Sequence, residues 1–138
     1  MRHYFDTSAL LKRYLLEAGQ STVLDLLESH GGRIIASELV LPELSSALRR
    51  AANAKRITLE RAHQLLGRAR EDLDALSVAR LDSLIITRAV HLAMQQDLRA
   101  LDAVHLATAL EMECTHLVSS DLDLLSASKR EGLKPVAV

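Results

Sequence analysis

Cysteine, proline, glycine and tryptophan are all scarce or missing in this chain. Its 138 residues include one cysteine, two prolines, five glycines and no tryptophan. A single cysteine, Cys114, excludes an internal disulfide framework and a cysteine-based zinc site, so we interpret it as a small buried hydrophobic residue. Because no repeat and no Gly- or Pro-rich linker interrupts the chain, residues 1–138 are expected to form a single domain.

Aromatic residues and long apolar runs are also missing, and both absences narrow the functional classes. The aromatic residues are Tyr4, Phe5 and Tyr14, too few for a platform on which nucleobases stack. No apolar run reaches the roughly 18–20 residues that span a bilayer. The charged, aromatic and acidic start of the chain is unlike a secretory signal, so a cytoplasmic protein is expected.

Charge is balanced overall but uneven along the chain. The formal net charge is −1, which excludes an overall basic signature for nucleic-acid binding. Between residues 49 and 70, however, Glu60 is the only acid among seven basic residues: Arg49, Arg50, Lys55, Arg56, Arg61, Arg68 and Arg70. Two interpretations stay open, namely a solvated helix face and a surface that attracts phosphates.

Hydrophobic periodicity predicts strands and helices that alternate along the chain. Strands are expected at residues 2–6, 33–36, 76–81, 116–119 and 134–138. Helices are expected at residues 8–17, 21–29, 39–55, 58–75, 84–95, 101–113 and 121–131. This alternation predicts an α/β fold with a mainly parallel sheet and an unusually large number of helices.

Four carboxylates stand at ends of these elements. Asp6 ends the first strand and Asp121 follows the fourth, while Glu43 and Asp102 lie in the first turns of helices. Taken singly, Asp102 and Asp121 are also typical helix N-caps, and Glu43 is compatible with a solvated acid. Asp82 is a competing acid after a strand, although a helix cap explains it.

Convergence of these acids would create a site for a divalent cation. Carboxylates that share a small volume repel one another, and a cation relieves that repulsion. An all-oxygen site favours Mg²⁺ or Mn²⁺ over zinc. Such an ion activates water and stabilises the negative charge that develops on a phosphodiester. No glycine-rich phosphate loop follows the first strand, so dinucleotide binding is not favoured.

Four segments together resemble the PIN domain family. They are FDTSAL at residues 5–10, LPEL at 41–44, LDAVHLATA at 101–109 and VSSD at 118–121. Within that family the chain most resembles the VapC-type toxins of type II toxin–antitoxin pairs. The resemblance implies a three-layer α/β/α fold with a central, mainly parallel sheet and about seven helices. It also implies an endoribonuclease that depends on Mg²⁺ or Mn²⁺.

The resemblance further implies a role for each site residue. The acids that correspond to the catalytic metal site are Asp6, Glu43, Asp102 and Asp121. The hydroxyl groups that orient these carboxylates or the attacking water are those of Ser8 and Ser119. Asp123 is a candidate auxiliary or alternative ligand. His105 is interpreted as a partly buried structural histidine, because the family motif places it on the helix and not in the metal site.

The sequence also contains candidate residues for RNA contact, and the resemblance implies protein partners. The basic residues considered for RNA contact are Lys12, Arg13, Arg49 and Arg50. For Lys12 and Arg13, a solvated helix face is an equally good interpretation. The resemblance implies a homodimer and a small antitoxin protein that occludes the site.

Two other functions compete with the metal-dependent ribonuclease. One is a non-catalytic RNA-binding or scaffold module that uses the basic segment 49–70; its RNA binding would survive chelation of metals. The other is a receiver-like signalling domain. That domain requires two adjacent acids after the first strand, a phospho-acceptor aspartate ending a central strand and a strand-end lysine, and the sequence does not contain this set.

Overall fold

The computed structural model describes the backbone of residues 1–138 and the side chains of all of them except Gly31. Across this described chain, five short strands form one sheet: β1 (His3–Phe5), β2 (Ile34–Ser37), β3 (Ser77–Ala79), β4 (His116–Ser119) and β5 (Lys134–Ala137). The strand order is β3-β2-β1-β4-β5, and every neighbouring pair is parallel. The expected mainly parallel sheet is confirmed and is in fact wholly parallel.

Helices connect the strands in the alternation that the sequence predicts. The α-helices of the described residues are α1 (Thr7–Leu11), α2 (Gln20–His30), α3 (Val40–Asn53), α4 (Leu59–Asp74), α5 (Ser83–Gln96), α6 (Ala100–Glu111) and α7 (Leu122–Arg130). A short 3₁₀ turn at Gly31–Arg33 precedes β2. In the part of the chain that the structure describes, no helix is both long and apolar enough to cross a membrane.

The first helix is much shorter than the predicted range 8–17. It ends at Leu11, and the amide of Lys12 already bonds the Ala9 carbonyl in a tighter turn. Beyond that point the side-chain amide of Gln20 donates to the Lys12 carbonyl, at 2.9 Å, and to the Leu15 carbonyl, at 3.3 Å. Side-chain donors therefore satisfy carbonyls that a longer helix would have bonded through its own backbone.

Hydrophobic side chains cover both faces of the sheet. Tyr4 and Phe5 are fully buried and point to opposite faces, as neighbours in a strand do. Tyr4 packs with residues of α5, α6 and α7, whereas Phe5 packs with residues of α1 to α4. Burial of each such large side chain contributes roughly 1.5–3 kcal/mol. The three-layer α/β/α arrangement with seven helices is confirmed.

The carboxyl ends of β1 and β4 meet at the centre of the sheet. β1 pairs with β2 on one side and with β4 on the other. The chain adds β2 and β3 on one side of β1 and then crosses back to add β4 and β5 on the other, so the strand order reverses here. In open α/β sheets, ligands bind outside the strands at such a reversal point. Asp6, whose amide donates to the Val118 carbonyl at 3.2 Å, lies at this position.

Candidate active site

Asp6 is a buried carboxylate at the turn between β1 and α1. Its extended backbone (φ −77°, ψ 177°) makes it the N-cap of α1. The Oδ1 atom accepts hydrogen bonds from the Ala9 amide at 2.9 Å and from Ser8 Oγ at 2.7 Å. The Oδ2 atom accepts one from Ser119 Oγ at 2.5 Å. The side chain is thus fixed at both oxygens.

Burial makes the Asp6 carboxylate an unfavourable isolated charge. Desolvation raises its pKa, although the hydrogen bonds from Ser119, Ser8 and Ala9 act in the opposite direction. Among the described residues, no lysine, arginine or histidine forms an ion pair with Asp6. A bound cation would stabilise the ionised form that burial disfavours.

Ser8 and Ser119 connect Asp6 to the end of β4. Their hydroxyl oxygens lie 3.3 Å apart. Ser119 Oγ accepts a hydrogen bond from the Asp121 amide at 2.9 Å, and Ser8 Oγ accepts one from the Ser120 amide at 3.0 Å. The two serines therefore join the segment that carries Asp121 to the Asp6 carboxylate.

Glu43 is held by one of its two oxygens. It lies in the first turn of α3. Its Oε1 atom accepts a hydrogen bond from Thr7 Oγ1 at 2.8 Å and lies 2.7 Å from His105 Nε2. Within the described residues both bonds use Oε1, which leaves Oε2 open to the site.

A buried tyrosine orients the histidine that contacts Glu43. Tyr4 Oη lies 2.6 Å from His105 Nδ1. An ionised carboxylate only accepts hydrogen bonds, so we place the histidine proton on Nε2, and Nδ1 then accepts from the Tyr4 hydroxyl. Burial opposes ionisation of Glu43, but the contacts with His105 and Thr7 outweigh it and lower the pKa of Glu43.

Asp102 and Asp121 approach each other from different helices. Asp102 lies in the first turn of α6, and Asp121 is the N-cap of α7, where its Oδ1 atom accepts from the Asp123 and Leu124 amides. Burial, and then the charge of Asp121, raises the pKa of Asp102. Arg99 bridges them: its Nε lies 3.4 Å from Asp102 Oδ2 and its Nη2 lies 3.5 Å from Asp121 Oδ2.

Hydrogen bonds join Asp6, Asp102 and Asp121 into one network, and Glu43 is connected to it through α6. Ser119 links Asp6 to the Asp121 segment, and Arg99 links Asp121 to Asp102. On the other side, His105 of α6 links Asp102's helix to Glu43. The interpretation of Asp121 as a helix cap is also correct, so capping and a place in the cluster are compatible.

Two further candidate acids, Asp123 and Asp82, have no side-chain contact with these four acids among the described residues. Asp123 is exposed in the first turn of α7, and its candidate auxiliary role stays a prediction. Asp82 caps α5 by accepting from the Ile85 amide at 2.9 Å, which confirms its interpretation as a helix cap.

Two of the candidate RNA contacts are engaged elsewhere. Lys12 is buried, and its ammonium group donates to the Ala18 carbonyl at 2.7 Å; a role for it in RNA contact stays a prediction. The Arg13 guanidinium lies 2.7 Å from Asp72, which together with Tyr14 raises the pKa of Arg13. That ion pair fastens the end of α1 to α4.

Arg50, in the basic segment, lines a cleft together with Glu43. The cleft, of about 410 Å³, extends from Glu43 and is lined by Leu39, Pro42, Glu43, Ser46, Arg50 and Leu101. Arg49 instead lines a separate groove between α3 and α4, and Arg56 pairs with Glu17 at 3.3 Å. The basic segment is therefore divided among different surfaces.

The donor set fits a hard divalent cation. Among the described residues, no three acidic, histidine or cysteine side chains already enclose one point at metal-binding distance. Protein donors contact the acids instead. Arg99 contacts Asp102 and Asp121, and His105 contacts Glu43. Oxygen ligands, one buried carboxylate and two mutually repelling acids are nevertheless the features that Mg²⁺ or Mn²⁺ requires.

Sequence reasoning missed the residues that hold these acids in place. Thr7 lies inside the FDTSAL segment, so a hydroxyl beside Asp6 was a usable signal. Tyr4 and His105 are 101 positions apart, and no local pattern pairs them. The burial of His105 was expected and is confirmed, but its contact with Glu43 was not anticipated. Cys114 is buried as expected.

Comparisons with known proteins agree with this architecture. The model of the PIN domain family matches residues 3–130. Ribonuclease VapC45 of Mycobacterium tuberculosis is 34% identical over 110 residues, which cover 78% of this chain and 74% of that protein.

Two solved structures with similar folds are more distant in sequence. The M. tuberculosis toxin VapC20, described as cleaving the sarcin-ricin loop, has a TM-score of 0.72 at 20% identity and covers 91% of this chain and 94% of its own. A toxin–antitoxin complex from Klebsiella pneumoniae has a TM-score of 0.66 at 20% identity, with 86% of each chain covered. From the family match and the 34% identity, the chain belongs to the PIN domain family.

Proposed function

We propose that this protein is a Mg²⁺- or Mn²⁺-dependent endoribonuclease and the toxin of a VapBC-type toxin–antitoxin pair. The observation that carries the proposal is the buried Asp6 carboxylate, fixed by Ser8 and Ser119 beside the mutually repelling Asp102 and Asp121. The ribonuclease activity of the VapC relative supports the choice of RNA as substrate.

The proposed mechanism assigns a task to each acid. Asp6, Asp102 and Asp121 would hold the metal ion, and Glu43 would contribute its carboxylate, whose Oε2 atom has no hydrogen bond among the described residues. When bound, such an ion lowers the pKa of a coordinated water and stabilises negative charge on the phosphate. Ser8 and Ser119 keep the Asp6 oxygens in a fixed orientation. Thr7 and His105 hold Glu43 Oε1 in a fixed position, so Oε2 would be the oxygen available to the ion or to the attacking water.

Arg50 is the basic residue that we propose for contact with RNA. It lines the cleft that begins at Glu43, so a strand bound at the acids can pass beside its guanidinium. Arginine binds phosphate oxygens through paired N–H donors. Arg49 faces a different groove and belongs to the proposal only if RNA extends over α3.

We also propose a homodimer and a small antitoxin partner. The side chains of Ile86, Val90 and Met94, at positions i, i+4 and i+8 of α5, are 43%, 60% and 85% exposed along one helix face. Apolar side chains in a row on a helix face are typical of a protein–protein interface.

The similarity to a toxin–antitoxin complex supports an antitoxin partner. A cytoplasmic location is part of the proposal, because the substrate is cellular RNA.

The direct test is digestion of total bacterial RNA by the purified protein. With Mg²⁺ or Mn²⁺ the protein should give discrete fragments, and with EDTA it should give none. Asp102→Asn should abolish the fragments, whereas Asp25→Asn, at an exposed acid of α2, should not. RNA binding without fragments under every metal condition would favour the non-catalytic RNA-binding module.

A further inference from the structure

Arg99 is placed across two acids of the site, Asp102 and Asp121. It is the N-cap residue of α6, with an extended backbone (φ −63°, ψ 154°). Its guanidinium reaches Asp102 of the same helix and Asp121 at the start of α7. The arginine side chain is 85% exposed, whereas those of Asp102 and Asp121 are 19% and 26% exposed. A solvent-facing cation therefore contacts two acids of the site.

Helix stability does not explain an arginine at this position. An N-cap residue normally supplies an acceptor for the free amides of the first turn. Arg99 has no acceptor and makes no side-chain capping bond. Its positive charge is also unfavourable at the positive end of the helix dipole. The position is thus a poor one for arginine unless the charge serves the adjacent acids or a ligand.

The two contacts of Arg99 are long and use only part of its donor set. At 3.4 and 3.5 Å they are at the outer limit for hydrogen bonds. A guanidinium has five N–H donors in a planar fork that matches phosphate oxygens. The contacts with Asp102 and Asp121 occupy Nε and Nη2 and leave Nη1 for another partner. The side chain can therefore exchange carboxylates for a phosphate with little rearrangement.

Electrostatic interactions favour the exchange of Arg99 from the carboxylates to a phosphate when a metal ion and RNA are bound. The acids of the network carry more negative charge than one divalent ion neutralises, so an approaching phosphate meets a site that is still negative. A divalent ion held by Asp102 and Asp121 would repel Arg99 and compete with it for their oxygens. The released guanidinium would then be available to a phosphate of a bound strand.

We infer that Arg99 binds a phosphate of the RNA substrate beside the metal-binding acids, and that in the metal-free protein the same guanidinium is their counter-ion. This inference rests on the proposed function, since it requires a metal ion and an RNA strand at this site. It assigns to Arg99 a contact with substrate that the sequence motifs do not indicate.

The test compares metal binding with RNA cleavage in Arg99→Ala. Mn²⁺ binding is measured without RNA, by the electron paramagnetic resonance signal of free Mn²⁺, and cleavage is measured as kcat and KM on total bacterial RNA. Loss of the competing cation should tighten Mn²⁺ binding by roughly threefold or more. Loss of the phosphate contact should raise KM about tenfold. Arg99→Lys, which keeps the charge but not the fork, should fall between wild type and Arg99→Ala in KM.

The matched control is Arg33→Ala, which removes an exposed arginine just before β2, at the opposite edge of the sheet. It should change neither quantity. A purely structural role for Arg99 predicts weaker Mn²⁺ binding together with weaker cleavage, and that result, or an unchanged KM, would overturn the inference. If the wild-type protein neither binds Mn²⁺ nor cleaves RNA, the proposed function itself fails. If the wild type binds Mn²⁺ and cleaves RNA, and Arg99→Ala does so with the same affinity and KM, only the inference is refuted.

Discussion

His105 Nε2 lies 2.7 Å from Glu43 Oε1, although the two residues are 62 positions apart in the chain. This contact ties α6, which carries Asp102, to α3, which carries Glu43. Tyr4 in the central strand fixes the other ring nitrogen. The orientation of Glu43 therefore depends on a buried chain of three side chains that begins in the sheet.

Replacing His105 should impair the site through Glu43. His105→Leu removes the Nε2 donor, and we expect activity and metal affinity to fall by roughly 10- to 100-fold. Tyr4→Phe leaves Nδ1 without its donor and should cost about tenfold. Because Tyr4 acts through His105, the double variant should be no worse than His105→Leu alone, as measured by RNA cleavage. Effects that multiply would show that Tyr4 does not act through the histidine.

Ser119 should set the pH at which the site binds metal. Burial raises the pKa of Asp6 and the Ser119 hydrogen bond opposes that rise, so Ser119→Ala should raise the pKa of Asp6 further. Protons compete with the metal as pH falls, and the midpoint of Mn²⁺ binding should therefore move to higher pH in the variant. Mn²⁺ titrations across pH 5–8 measure this midpoint. A midpoint that stays in place or moves to lower pH contradicts the assignment of Asp6 as a ligand.

The stacked histidines at the amino ends of the strands should destabilise the fold in acid. His3 is buried, with its ring 4.4 Å from those of both His30 and His116. Burial lowers the pKa of His3 from 6.5 to about 4. Between these two values His3 is protonated in the unfolded chain but not in the folded protein. The free energy of unfolding therefore falls as the pH drops from 6.5 towards 4.

His3→Phe keeps an aromatic ring in the stack and removes this titration. Its melting temperature should decrease less than that of the wild type over the same pH range, as followed by circular dichroism. His116, whose pKa burial also lowers, should leave part of the dependence in place. Identical pH profiles for the two proteins would exclude His3 as a source of acid sensitivity.

The exposed face of α5 should be the dimer interface. Met94→Glu places a charge in a contact that would be apolar, and we expect the dimer to dissociate to monomers in analytical ultracentrifugation. Leu16→Glu is the matched control, because Leu16 is also 85% exposed and lies outside α5. A wild-type monomer, or a dimer that survives Met94→Glu, would refute this interface.

The sequence was sufficient to predict the fold and the candidate ligands. Apolar periodicity located every strand and helix to within a few residues, apart from the end of α1. Acids at strand ends and helix starts are brought together by the parallel sheet, because the carboxyl ends of parallel strands share one edge. The convergence of Asp6 and Asp121 follows from the adjacency of β1 and β4.

The contacts that depend on side-chain direction could not be predicted. Lys12 follows a short helix, and its carbonyl accepts from the Gln20 side chain eight residues later, so its burial has no signal in the helical pattern around it. Arg99 and His105 act through partners on other helices. Such contacts depend on the packing of α3, α6 and α7, which hydrophobic periodicity does not specify.

The central claim is that Asp6 is kept ionised in a buried position in order to bind a metal ion. Asp6→Asn removes that buried charge, so the metal-free variant should melt at a higher temperature than the wild type, because the raised pKa of Asp6 marks its ionised form as destabilising. Mn²⁺ should raise the melting temperature of the wild type alone, and RNA cleavage by Asp6→Asn should fall by at least about 100-fold. The decisive measurement is the melting temperature of both proteins with and without Mn²⁺. A stabilised variant that no longer responds to Mn²⁺ is the predicted result, and a variant that Mn²⁺ still stabilises as it does the wild type would contradict the account.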